Sequence, residues 1–120
     1  MNILKVNRGE IYLAKLDPVI GSETGKTRPV LIIQNDIGNL CSPTTIVAVI
    51  TGYSAKKASY PICVAVKKDE GLAKDSIVNL SQIRTIDKKR LVVPVLTKLS
   101  SDLMRQVDEA IRNSLEIDVS

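Results

Sequence analysis

The chain has 120 residues, 44% of them hydrophobic and 25% charged, which suits one soluble globular domain over residues 1–120 with a buried core. Its formal net charge is +4, it has no histidine, and Cys41 and Cys63 are too far apart to form a ligand-like pair, so no metal, disulfide or cofactor is expected. The longest apolar runs are strand-sized, and the opening Met1-Asn2-Ile3-Leu4-Lys5 lacks a secretory pattern, so no membrane segment is expected and cytoplasm is the expected compartment.

Gly9–Leu16 alternates Ile11 and Leu13 against Glu10, Tyr12 and Ala14, the period of a half-buried strand. A polar loop with Gly21 and Gly25 then leads through Arg28 and Pro29 into the apolar run Val30–Ile33. Asn35-Asp36-Ile37-Gly38-Asn39 predicts a turn or a short helical turn. Ile46–Ile50 is a second continuous apolar run and ends at Thr51; both runs are rich in β-branched residues and predict strands buried on two faces. Ile62–Val66, Ser76–Leu80, Ile83–Ile86 and Leu91–Leu96 are further strand candidates, and Pro94 marks the last as an edge or a bulge. The period then changes. Leu103/Met104, Val107, Ala110/Ile111 and Ser114/Leu115 recur every three or four residues as one face of a helix, with Ser100 or Ser101 as N-cap and Asp102 at its positive end. Short strands plus one terminal helix predict a mainly β (α+β) fold, a small, curved SH3-like β-barrel of short antiparallel strands with a C-terminal amphipathic helix. The isolated cysteines are expected as small buried apolar residues.

Charge is uneven. Residues 102–120 hold five acids and two bases, leaving the first 101 residues with fifteen bases against eight acids. A basic body of this kind suits a polyanion or an acidic protein partner. Adjacent acids such as Asp69-Glu70 and Asp108-Glu109 read as solvated surface rather than as a two-metal nuclease site.

The residues with the strongest chemical potential lie between Pro18 and Thr51. An arginine on a stiff strand matches phosphate oxygens two at a time. Arg28 alone reads most simply as a partner of Glu23, but its surroundings favour a ligand. Gly21 and Gly25 let backbone approach closely, Ser22, Thr24, Lys26 and Thr27 add donors, and Thr51 ends a strand that can lie beside Arg28.

Several segments together, Gly21-Ser22-Glu23, Arg28–Asp36, Ser42-Pro43-Thr44, Ala48–Thr51 and Gln82–Lys88, with the opening Arg8-Gly9-Glu10-Ile11-Tyr12, resemble the MazF/PemK family of bacterial toxin ribonucleases over roughly residues 7 to 116. The resemblance implies a metal-independent, sequence-specific endoribonuclease that cuts single-stranded RNA and halts translation. It also implies a homodimer, neutralised by an antitoxin whose acidic, flexible tail covers the RNA groove. The family's catalytic arginine and threonine fall on Arg28 and Thr51, and its substrate groove on Ser22, Glu23 and Gln82. Thr24 and Lys26 depart from the family's Gln and Gly, and Ser81 stands where an acid is common, so cleavage-sequence preference does not transfer.

The implied chemistry is attack by a 2′-hydroxyl on its own phosphate, leaving a 2′,3′-cyclic phosphate and a 5′-hydroxyl. Arg28 is expected to hold the nonbridging oxygens and Thr51 to orient the phosphate. Arginine barely deprotonates, with a pKa above about 12, so Glu23 is the better base on physical grounds; its other reading is a partner orienting Arg28. With three tyrosines and no phenylalanine or tryptophan there is no stacking platform, leaving Tyr53 or Tyr60 to help near Gly52–Pro61 and Lys56 and Lys57 to meet flanking phosphates. Two rival readings are a gyrase-poisoning toxin of the same barrel and a non-catalytic nucleic-acid-binding barrel.

Overall fold

Alternation and β-branching produce six strands: β1 (Glu10–Lys15), β2 (Thr27–Ile32), β3 (Thr44–Gly52), β4 (Cys63–Val66), β5 (Ser76–Asp87) and β6 (Leu91–Lys98). They form one sheet ordered β4-β5-β3-β2-β1-β6 with every pairing antiparallel, in a computed structural model that describes residues 4–118. The mainly β architecture with a C-terminal helix is the one expected. The sheet is not closed, and β4 and β6 are its two edges.

Three helices connect and cover the strands: α1 (Asp36–Cys41), α2 (Ala55–Ala58) and α3 (Ser101–Leu115). The Asn35–Asn39 turn forms α1, where Asn35 Oδ1 accepts from Gly38 N at 2.7 Å. Ser100 is the N-cap of α3 and accepts from Leu103 N, with Asp102 in the first turn. No helix among the described residues is long and apolar enough to cross a membrane.

Side chains alternate across the sheet and build a core on each face. Ile11, Leu31, Ala48, Ile50, Val78 and Leu80 pack with Val107 and Ala110 of α3. On the other face Tyr12, Leu16, Val30, Ile32, Val47 and Val49 pack with Ile86 and Leu91. Each such large side chain contributes roughly 1.5–3 kcal/mol when fully buried. A one-residue slip of β2 on β3 would exchange the two sets, so burial pins the register Val30↔Val49, Leu31↔Ala48, Ile32↔Val47.

Three details differ from the sequence reading. The two strand candidates within residues 76–86 are one strand, β5, carrying a bulge: Ala48 faces Ile83 while Val49 faces Asn79, so Leu80, Ser81 and Gln82 have no partner on β3. Asn79 Oδ1 accepts from both the Ser81 amide (2.9 Å) and hydroxyl (2.6 Å), which stabilises the bulge. Cys41 is exposed at the end of α1, a helix that buries Asn39 instead. Cys63 is half-buried on edge strand β4, and burial raises its thiol pKa, opposed by Lys57. Pro94 sits where expected, on an edge strand whose register to β1 jumps from Ile11↔Thr97 to Leu13↔Val92.

Gly71 ends the 3-10 turn Lys68–Glu70 at φ +104, and a Cβ there would stand 2.6 Å from Thr97 Cβ. Gly71→Ala is expected to lower the unfolding free energy by about 1–3 kcal/mol, read from the urea midpoint; an unchanged midpoint would show that β6 gives way freely.

Candidate functional site

Extending the β2–β3 register by two residues places Arg28 opposite Thr51. Positions two apart on a strand share a face, so Arg28 lies on the side of Val30 and Ile32, and Thr51 on the side of Val49 and Val47. Both residues line a cleft of about 400 Å³ with apolar walls from Leu13, Pro29, Leu72 and Leu96. The structure therefore brings together the two residues that the sequence reading placed at the centre of the chemistry.

Their polar atoms are unequally engaged. Arg28 Nε donates to Gly25 O at 3.0 Å, which orients the guanidinium. Its terminal nitrogens have no hydrogen-bond or ion-pair partner among the described residues. Thr51 Oγ1 is the one buried side-chain polar atom without a hydrogen-bond partner among those residues. An unpaired buried hydroxyl costs free energy and is rare in folded proteins. It gives the cleft that Arg28 also lines an unused donor.

Sequence reasoning missed Lys74. A Cβ on Gly52 would lie 3.4 Å from its Nζ, and Lys74 lines the same cleft, to which no carboxylate among the described residues contributes. Nothing near Lys74 in the chain marks it. The Gly52↔Ser76 pairing of β3 with β5 and the Tyr53 N to Asp75 O hydrogen bond carry its loop to the end of β3.

Glu23 and Gln82 meet elsewhere. With Thr24, Ser81, Ile83 and Arg84 they line a polar hollow of about 310 Å³. The β5 bulge puts Ser81 and Gln82 there, opposite the loop. Glu23 forms no ion pair with Arg28; its Oε1 accepts from Ile20 N at 2.6 Å and tightens the loop tip. Ser22 and Lys26 are exposed on the same loop, Lys26 at φ +64, and line neither cavity. Tyr53 and Lys56 are exposed beyond β3 and likewise line neither.

Residues 7–115 match the protein family described as PemK-like, MazF-like toxin of type II toxin–antitoxin system. Over 113 residues the chain is 51% identical to Endoribonuclease EndoA of Bacillus subtilis (strain 168), covering 93% of this chain and 96% of that protein. It is similar in structure to the Mycobacterium tuberculosis toxin MazF-mt6, at 26% identity, 92% and 99% coverage and a TM-score of 0.76. A mycobacterial endoribonuclease solved in complex with its cognate antitoxin shares the fold at 20% identity, with 96% and 99% coverage and a TM-score of 0.77.

Replacing the orphaned hydroxyl by a methyl tests the local energetics. Thr51→Val is expected to raise stability by roughly 1 kcal/mol, because it removes an unpaired buried polar group. A lower denaturation midpoint would show that Thr51 Oγ1 is already satisfied.

Proposed function

Since this chain belongs to the PemK-like, MazF-like family of type II toxins, we propose that it is an endoribonuclease that cuts single-stranded RNA at the Arg28–Thr51 pair. The observation that carries this reading is one cleft lined both by Arg28, whose terminal nitrogens have no partner among the described residues, and by Thr51, whose buried hydroxyl has none there either. The named activity of the 51% identical relative supports it.

In the proposed reaction the 2′-hydroxyl gives up its proton to water as its oxygen attacks the adjacent phosphorus. An O2′–P bond forms, the P–O5′ bond breaks, and the departing 5′-oxygen takes a proton from water. The products are a 2′,3′-cyclic phosphate and a 5′-hydroxyl. Negative charge grows on the nonbridging oxygens as phosphorus becomes five-coordinate. The free guanidinium nitrogens of Arg28 oppose that charge, an effect worth about a hundredfold or more in rate. Thr51 donates its hydroxyl to the same phosphate and fixes the line of attack. Glu23 accepts from Ile20 N at 2.6 Å, so a role as base requires the loop tip to reorganise around RNA.

The polar hollow of Glu23, Gln82 and Arg84 supplies both donors and acceptors for reading a base edge. Ser22, Lys26, Tyr53 and Lys56 extend the contact to flanking nucleotides. The toxin is neutralised by a cognate antitoxin with an acidic, flexible tail, acts as a homodimer, and inhibits translation by cutting messenger RNA. A gyrase poison would have no use for the Arg28–Thr51 pair.

Incubation with RNA and matched DNA in excess EDTA tests the proposal. RNA cleavage with a 2′,3′-cyclic phosphate terminus is expected, with DNA left intact. Arg28→Ala is expected to lower the rate by about a hundredfold or more. Intact RNA across many sequences, or metal-dependent cutting, would overturn it.

A further inference from the structure

Three consecutive carbonyls at the root of the Asp17–Lys26 loop are held by two arginines from distant parts of the chain. Arg90 Nη1 donates to Lys15 O at 2.9 Å and to Asp17 O at 2.7 Å. Arg84 Nη1 donates to Leu16 O at 3.1 Å. The division follows the pleat, in which alternate carbonyls point to opposite sides. Leu16 N in turn donates to Lys26 O at 2.8 Å, closing the loop across its base.

The contacts continue to the proposed active centre. The two arms of the loop touch at Gly25, where a Cβ would overlap the Asp17 carboxylate and stand 2.8 Å from Val19 Cγ2. The position of Asp17, held through its carbonyl by Arg90, thereby limits the position of Gly25. Gly25 O accepts from Arg28 Nε. An unbroken chain of contacts thus runs from Arg84 and Arg90 through the loop root and Gly25 to Arg28.

We propose that Arg84 and Arg90 are positioning residues whose clamp on Lys15–Asp17 sets the orientation of the Arg28 guanidinium. A cationic donor suits this work because hydrogen bonds from charged groups are stronger than neutral ones, and one guanidinium serves two carbonyls. The clamp leaves the loop tip free. Ser22 and Lys26 remain exposed while the backbone that carries Gly25 stays in place. Small errors in the placement of a catalytic group are costly, so a residue that acts only through the loop root, such as Arg90, which lines neither cavity, still governs the rate.

The proposal rests on the ribonuclease reading only for its kinetic test; a spectroscopic test stands apart. In the ¹⁵N-labelled full-length protein, water exchange of the Arg28 Nε–H is compared among wild type, Arg84→Ala, Arg90→Ala and Gly25→Ala. Each variant is expected to speed that exchange by about tenfold or more, the loss of one charge-assisted hydrogen bond. On RNA that the wild type cuts, kcat is expected to fall by a similar factor while each variant stays folded at the assay temperature. Added guanidinium ion is expected to restore part of the Arg90→Ala rate. Unchanged Arg28 exchange and kcat in both arginine variants would overturn the clamp. If the wild type cuts no RNA, the ribonuclease reading fails and the exchange measurement alone decides the clamp.

Discussion

The antiparallel register of β2 on β3 is the constraint on which the rest depends. It is fixed by Val30, Ile32, Val47 and Val49 on one face and by Leu31 and Ala48 on the other. None of these residues has functional chemistry, yet their burial decides which side chain stands opposite Arg28. A slip by one position would turn valines and isoleucines onto the wrong face and separate Arg28 from Thr51. Core packing and site geometry are here the same fact. The site inherits its precision from several kcal/mol of burial at each strand, far more than one surface ion pair would supply.

The site itself is held against local preference. Among the described residues, Arg28 and Lys74 share a largely apolar cleft with no acid, and Thr51 keeps a buried hydroxyl unpaired. Uncompensated groups of one sign raise the energy of the empty site and lower that of a site holding an anion. The surrounding fold offsets this with redundant fastening. Thr97 Oγ1 donates to Glu70 O at 2.8 Å, Tyr53 N to Asp75 O at 3.1 Å and Ser76 Oγ to Lys74 O at 2.8 Å, which tie the Lys68–Asp75 segment to β6 and β3. At the other end Arg8 joins three elements, donating to Ile33 O from Nε and to Asp108 from Nη2 while its amide binds Asp36.

Sequence legibility followed the range of the forces involved. Strand positions, the turn at Asn35–Asn39, the N-cap at Ser100 or Ser101 and the amphipathic face of α3 depend on neighbours a few residues away, and they were readable. The split of residues 76–86 into two strands was misread, because the bulge at Leu80–Gln82 exists only relative to β3. Glu23 was legible as a candidate site residue but not its hydrogen bond to Ile20 N, which depends on how the loop tip folds back. Cys41 was expected inside and lies outside, since residue type alone does not reveal that α1 turns Asn39 inward instead.

The amino-acid order by itself determined which segments become strands and helix, that chemistry must proceed without histidine, and which motifs mark the family. Those properties reside in periodicity and residue identity, which need no third dimension. Only the tertiary structure decided that Arg28 and Thr51 share a cleft, that Glu23 joins Gln82 instead, that Lys74 reaches the end of β3, and that Arg84 and Arg90 hold the loop root. Each of these joins residues brought together by strand pairing, and pairing is set by the burial of whole faces rather than by any local signal.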